Sequence, residues 1–238
     1  RDLMWNGLVR RYRPRQEVDG LPEGEGAFLA CAFWLADNYL LQGRKDDARA
    51  LFERLSQDGR VRILSAPGPF NFSALNNLAA RQAKGEVLVL LHNDIAVREP
   101  TWLADMVAQA ARPDVGAVGA KLYDPDGTLQ HAGVVLGVGD APEKVAGHLY
   151  PGAGANHAGY QGHLVLARNV SAVTAACLAI RKAVWDEVGG MDETGLPVAF
   201  NDVDLCLKIR AAGYDIVWTP HAELVHHESA SRGSDLAP

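Results

Sequence analysis

Cysteine is scarce in this chain. There are three in 238 residues, Cys31, Cys177 and Cys206, and no Cys-x-x-Cys. That excludes a zinc ribbon and a disulfide framework. Cys177 and Cys206 stand among apolar neighbours and read as buried thiols, which suits a reducing cytoplasm. Positive charge does not dominate either. With 23 Lys and Arg against 29 Asp and Glu, the net charge is −6, which argues against a general binder of nucleic acid or anionic membranes. One short basic run, Arg10, Arg11, Arg13 and Arg15, reads as solvated surface. No apolar run reaches the roughly 20 residues of a transmembrane helix. The N-terminus shows no signal peptide, although a chain starting at Arg1 can be cut from something longer. No second copy of any segment is found, so a helical repeat is not indicated.

What is present is globular: 48% of residues are hydrophobic, enough for a substantial core. Residues 27–42 form an apolar stretch without interior Pro or Gly, stopped by Gly43, and 46–56 carries Ala48, Leu51, Phe52 and Leu55 on one face. Together they predict an N-terminal helical hairpin. After Asp58-Gly59 the pattern alternates. Strands are predicted at 61–64, 87–91, 116–122, 130–136, 171–180 and 215–219. Helices are predicted after Ser73 and Thr101 as caps, before Gly189-Gly190, and over 202–212 before Gly213. Asp124-Pro125-Asp126-Gly127 is a turn. Residues 137–161, rich in Gly, Ala, Pro and His, read as a long loop able to act as a flap. The tail after Ser229 has no periodicity. Strands alternating with helices specify an α/β sandwich.

Two acidic clusters and a histidine pair carry the chemistry. The buried strand at 87–91 ends in His92-Asn93-Asp94, at the strand end where open α/β sheets bind ligands. Asp94 reads either as a turn or cap element or as a Mg²⁺ or Mn²⁺ ligand bridging to substrate phosphates. His92 is a poor ligand for a hard ion and equally a packed histidine. Asp202 and Asp204 open a helix, where acidic residues favour the dipole. Two positions apart, they point in different directions, so only one faces a given pocket, and that one is a candidate general base. His226 and His227 point to opposite sides of extended backbone, so one can reach a metal while the other packs.

Several segments carry a family resemblance: Pro69-Phe70-Asn71-Phe72-Ser73-Ala74-Leu75-Asn76-Asn77, the stretches 85–94, 116–122 and 130–137, Asn201-Asp202-Val203-Asp204-Leu205-Cys206, and 226–233. From about Val61 to Gly233 the chain resembles a family-2 glycosyltransferase of the GT-A fold, of the rhamnosyltransferase-like kind that assembles bacterial surface polysaccharide. The resemblance implies transfer of a sugar from a nucleotide-sugar donor to a hydroxyl of a glycan or lipid-linked glycan, with Mn²⁺ or Mg²⁺. His92-Asn93-Asp94 stands at the family's Asp-x-Asp position, with His92 replacing its first residue. Asp94 would hold the metal, and Asn77, Asn93 and Asp94 would meet the donor diphosphate. Asn201-Asp202 matches a Glu-Asp motif with Asn201 in place of Glu, making Asp202 the base and leaving Asp204 secondary. His226 is the histidine ligand, with His227 second.

The family's first two nucleotide-binding strands have no counterpart before Val61. The implied fold is therefore an incomplete GT-A-like, Rossmann-like mixed sheet flanked by helices, with an unpaired sheet edge through which chains could associate. The run 19–37, within about 11–55, resembles the C-terminal helices of a glucoamylase- or trehalase-like (α/α)-barrel hydrolase, with Glu25 near that family's catalytic base. Inverting hydrolysis needs a second carboxylic acid across the sugar, and the rest of the barrel has no counterpart, so no hydrolase activity is expected. Residues 1–57 are thus assigned to the helical segment, 58–233 to the transferase domain and 234–238 to a tail. The alternatives to an active transferase are an inactive remnant or glycan-binding module, and a hydrolase fragment using Glu25. The expected setting is cytoplasmic, with peripheral attachment at the inner membrane as a further option.

Overall fold

The computed structural model describes residues 4–5, 8–9, 39, 42–57, 59, 61–138 and 145–227, and the chain divides into two compact units, Arg1–Ser65 and Ala66–Pro238. In the first unit β1 (Met4–Trp5) and β2 (Leu8–Val9) pair antiparallel. Helix α1 (Lys45–Ser56) buries Ala48, Leu51 and Leu55, while Phe52 flanks that stripe and is 44% exposed. Asp46 and Asp47 in its first turn and Arg54 in its last complement the helix dipole. Most of the helix expected at 27–42, and Glu25, lie outside the described residues.

The second unit runs α2 (Phe72–Gln82), β3 (Val87–Leu91), β4 (Ile95–Val97), α3 (Trp102–Ala110), β5 (Val115–Tyr123), β6 (Leu129–His131), β7 (Val134–Leu136), β8 (Ala146–His148), β9 (Arg168–Asn169), β10 (Cys177–Arg181), α4 (Lys182–Glu187), α5 (Asn201–Ala211) and β11 (Asp215–His226). A seven-stranded mixed sheet has the order β3-β10-β5-β11-β4, with β6 added to β5 and β9 to β11. Only β5 and β11 are parallel; the other pairs are antiparallel. All nine residues of β5 are buried, as a strand covered on both faces requires.

The faces are assigned by alternation. On β10, Leu178 and Ile180 join the core beneath α4 and α5, with Trp185, Leu205, Cys206 and Ile209. Cys177 and Ala179 point the other way, to Trp102, Met106 and Ala110 of α3. Gly119 of β5 is required by close packing: a Cβ there would lie 2.4 Å from the Cβ of Val173. Strand β3 ends the sheet path. It pairs with β10 on one side and, among the described residues, with nothing on the other.

Several sequence expectations are corrected. Residues 61–64 form no strand among the described residues, since the segment has no ladder partner. The strand expected at 130–136 is two, β6 and β7, because Gly133 at φ +95° turns the chain between them. The strand expected from Ser171 begins only at Cys177. The last strand continues past Thr219 to His226. Pro220 lacks a backbone donor, so the ladder with β5 breaks between Trp218 and Glu223 and then resumes. The cap of α2 is Asn71, whose side chain accepts from the Ala74 N–H at 2.8 Å, and not Ser73, whose hydroxyl donates to the Leu196 carbonyl at 2.6 Å. Within 137–161 the described residues form β8 and turns, with β8 paired to β7.

Candidate active site

The site is built where β3 hands over to β4. The backbone N–H of His92 donates to the Ala176 carbonyl at 2.9 Å, and the Asp94 carbonyl accepts from the His227 N–H at 3.0 Å. Antiparallel pairing of β4 with β11 sets Ile95 opposite His226. These backbone bonds bring His92, Asp94 and His226 together. One potential ligand atom from each lies within 4.8 Å of the others. The His92 and His226 rings meet edge to face at 5.3 Å, with Phe72 against the other side of His92 at 5.4 Å. Asn93 is exposed beside them, and His227 points away from His226 on the extended strand.

The electrostatics of this cluster favour a cation. Nδ1 of His226 lies 2.8 Å from Oε1 of Gln130. The Gln130 amide is oriented by its nitrogen, which donates to the Asp124 carboxylate at 2.8 Å and reaches toward the His226 carbonyl at 3.5 Å. Gln130 therefore presents its oxygen to the ring, Nδ1 carries the proton, and Nε2 of the neutral ring is a lone pair. That nitrogen sits 3.2 Å from Oδ1 of Asp94. No aligned hydrogen bond forms there, and Oδ1 is sealed from solvent without a donor. Two acceptors face one another, an arrangement that a positive ion between them relieves. Bonds of about 2.1 Å to a small divalent ion would set adjacent ligands roughly 3 Å apart. Burial pushes the Asp94 carboxyl up, but a protonated His226 donating to it, and then His92, outweigh burial and hold it below the usual carboxylate range; the neutral ring with its lone pair toward Asp94 is the form that a cation selects. Nδ1 of His92 is 3.9 Å from Asp94 Oδ1.

Asp202 opens α5, and both its oxygens are held: Oδ2 accepts from the Ala175 N–H at 3.1 Å and Oδ1 from the Val203 N–H at 2.8 Å. Ala175 and Ala176 are consecutive, and one binds Asp202 while the other binds His92. This short segment before β10 thus ties the helix start to the His92-Asn93-Asp94 turn. Phe200, just before α5, is half exposed in the left-handed region at φ 58°.

Asp204 points elsewhere, as the helical spacing requires. It pairs with Lys208 at 3.0 Å and faces an open polar cleft of about 570 Å³ together with Asn77, Arg81, Asp192 and Glu193. Asn77 is buried and occupied. Its amide donates to the Met191 carbonyl and to Glu193, both at 2.8 Å, and accepts from the Met191 N–H at 3.0 Å. The structure thus gathers His92, Asp94 and His226, anchors Asp202 to the neighbouring segment, and sets Asn77 and Asp204 in a separate cleft. Gln130 and Asp124 were not legible as site residues. They are a polar pair flanking a turn, and the contact of Gln130 to His226 spans 96 positions of sequence.

The family model described as glycosyltransferase-like family 2 matches residues 39–237. The chain belongs to this family. An uncharacterized protein, y4gI, of Sinorhizobium fredii is 59% identical over 184 residues, 76% of this chain and 20% of that protein. The O-antigen biosynthesis protein RfbC of Myxococcus xanthus is 44% identical over 182 residues, 76% of this chain and 14% of that protein. The N-acetylglucosaminyl-diphospho-decaprenol L-rhamnosyltransferase of Mycobacterium tuberculosis is 33% identical over 131 residues, 52% of this chain and 41% of that protein. The chain therefore spans well under two thirds of these relatives. A shorter likeness, 43% identity over 54 residues, 23% of this chain, is to 8% of the trehalase of Mycobacterium tuberculosis.

Among solved structures, GalNAc-T7 with UDP, GalNAc and Mn²⁺ aligns at a TM-score of 0.58 and 17% identity, over 75% of this chain and 34% of that one. The mannosyltransferase PcManGT of Pyrobaculum calidifontis, with GDP-Man and Mn²⁺, aligns at 0.53 and 16% identity, over 79% and 46%. At these identities the likeness shows the fold: a GT-A-like mixed sheet with flanking helices.

Proposed function

We propose that this glycosyltransferase moves a sugar from a nucleotide-sugar donor to a hydroxyl of a glycan or lipid-linked glycan, in bacterial surface-polysaccharide assembly. The observation that carries the proposal is the facing pair Asp94 Oδ1 and His226 Nε2 at 3.2 Å, with His92 beside it. Asp94 and His226, joined by His92, would hold the ion. Imidazole donors suit a first-row transition ion better than Mg²⁺, so of the two candidate ions Mn²⁺ fits this set. When bound, the ion neutralises charge that develops on the departing diphosphate.

Asp202, fixed at the start of α5 by two backbone N–H groups, would take the proton of the acceptor hydroxyl. Exposed Asn93 would meet the donor phosphates. Asn77 acts at a distance, by pinning the Met191 segment. A peripheral position on the cytoplasmic side of a membrane goes with this reading, and among the described residues no helix is long and apolar enough to cross a bilayer.

The test is transfer by the purified chain with Mn²⁺ and a panel of UDP-, dTDP- and GDP-sugars. Asp94→Ala is expected to lose both Mn²⁺ binding and turnover. Asp202→Asn should keep Mn²⁺ and nucleotide affinity while kcat falls about 10²–10⁴-fold, the usual worth of general-base catalysis. Unchanged turnover in either folded variant overturns the assignment. The open side of β3 favours a second reading, a binding remnant whose donor pocket lacks its first strands. Metal-dependent nucleotide binding with no transfer to any acceptor would support that reading instead.

A further inference from the structure

We propose that Gln130 and Asp124 are positioning residues that set the tautomer of His226 and so determine the metal affinity of the site; this rests on the metal reading above. The route is a hydrogen-bonded relay. Asp124 belongs to the turn between β5 and β6, which is closed by the Gly127 N–H donating to the Asp124 carbonyl at 2.9 Å. Its carboxylate accepts from the Gln130 amide nitrogen at 2.8 Å. Gln130, on β6, is buried, and its oxygen takes the Nδ1 proton of His226, also buried, at 2.8 Å.

A carboxylate can only accept, so it dictates which end of the Gln130 amide faces the ring. The amide oxygen in turn dictates which ring nitrogen carries hydrogen. A turn and the strand that follows it thus aim one lone pair, on Nε2 of a histidine 96 positions later, at the position shared with Asp94. Without Gln130 the neutral imidazole is free to move its proton to Nε2, where it would donate to Asp94 and close the site against a cation. Such outer partners of a ligating histidine are typically worth about 10–100-fold in metal affinity.

The test uses the full chain and Mn²⁺ alone, titrated by calorimetry, together with nitrogen NMR of the histidine rings in the metal-free protein above neutral pH. Wild type is expected to bind Mn²⁺ and to carry the His226 proton on Nδ1. Gln130→Leu should bind Mn²⁺ about 10–100-fold more weakly and show mixed tautomers, whereas Asp94→Ala should not bind. Wild-type affinity in Gln130→Leu, with binding lost in Asp94→Ala, overturns the proposal and leaves the metal reading intact. Failure of wild type to bind Mn²⁺ overturns both. A wild-type proton on Nε2 overturns the relay whatever the metal does. Should Gln130→Leu fail to fold, Asp124→Asn takes its place. It should weaken Mn²⁺ binding in the same direction, and unchanged affinity there refutes the relay.

Discussion

His131 makes the stability of this protein depend on pH, and the size of the effect follows from its surroundings. The ring is fully buried on β6. Its Nδ1 lies 2.9 Å from Nδ1 of His148 on β8, and its Nε2 has no hydrogen-bond partner. Burial first, and then repulsion from His148 and His226 whenever those rings are protonated and from Arg168, hold its pKa well below the ordinary 6.5. The sign is fixed by linkage. In the unfolded chain the ring takes up a proton as pH falls through about 6.5, while in the folded chain it stays neutral, so the unfolded state binds more protons. Stability is complete above about pH 6.5 and declines as pH falls from there toward the folded value.

Each pH unit in that window costs at most about 1.4 kcal/mol, so acidifying from 6.5 to 5.0 should remove up to about 2 kcal/mol. For a domain of this size that is a fall in Tm of roughly 4–8 °C. The assay is thermal unfolding at half-unit pH steps in chelator, comparing wild type with His131→Gln. The variant is expected to be less stable at every pH, but its decline below pH 6.5 should be shallower by about that amount. Both proteins share every other titratable group, so the difference in slope isolates His131. Parallel curves would refute the reasoning.

Two further outcomes are expected. Gly119→Ala should destabilise by about 3 kcal/mol, the upper end for overpacking, because the new Cβ meets the Cβ of Val173, which cannot swing aside. Val173→Ala should therefore not rescue it in urea unfolding, and a rescue would show that the clash is with the Val173 methyls alone. Burial pushes the thiols of Cys177 and Cys206 up to about 12. In a Cys31→Ser background the native protein should resist a thiol-specific disulfide reagent at pH 8 and react at both sites once unfolded; rapid native labelling would refute the burial of these two residues.

Local patterns were legible and long-range consequences were not. The apolar run at 87–91, the mostly apolar 116–122 and the glycines that close α4 and α5 announced themselves through neighbours a few positions away, and each element stands where expected. Gly133 divided an apparently continuous strand because its left-handed backbone is invisible in a run of apolar residues. Pro220 looked like an end and is instead a gap in a ladder that resumes, since β5 continues to offer partners beyond it. The same limit applies at the site. Asp94 stood out at the end of a strand, and the partition of His226 from His227 followed from alternation. Gln130 did not stand out, because its role depends on which side chain a strand nearly a hundred positions later presents to it.

The pairing of β4 with β11 has a consequence beyond placing His226. Side chains alternate along a strand, so a slip of one residue in this pairing would turn His226 to the opposite face. Under the proposed function, ion affinity is then a gauge of strand registry, and a misregistered chain is one that cannot hold Mn²⁺. Contacts between segments so distant in sequence form late in folding. An ion that binds only the finished sheet acts as a clasp on the last step, adding about 2.7 kcal/mol at a hundred times its Kd. The cell's manganese supply would set not only how fast such a transferase works but how much of it is correctly assembled.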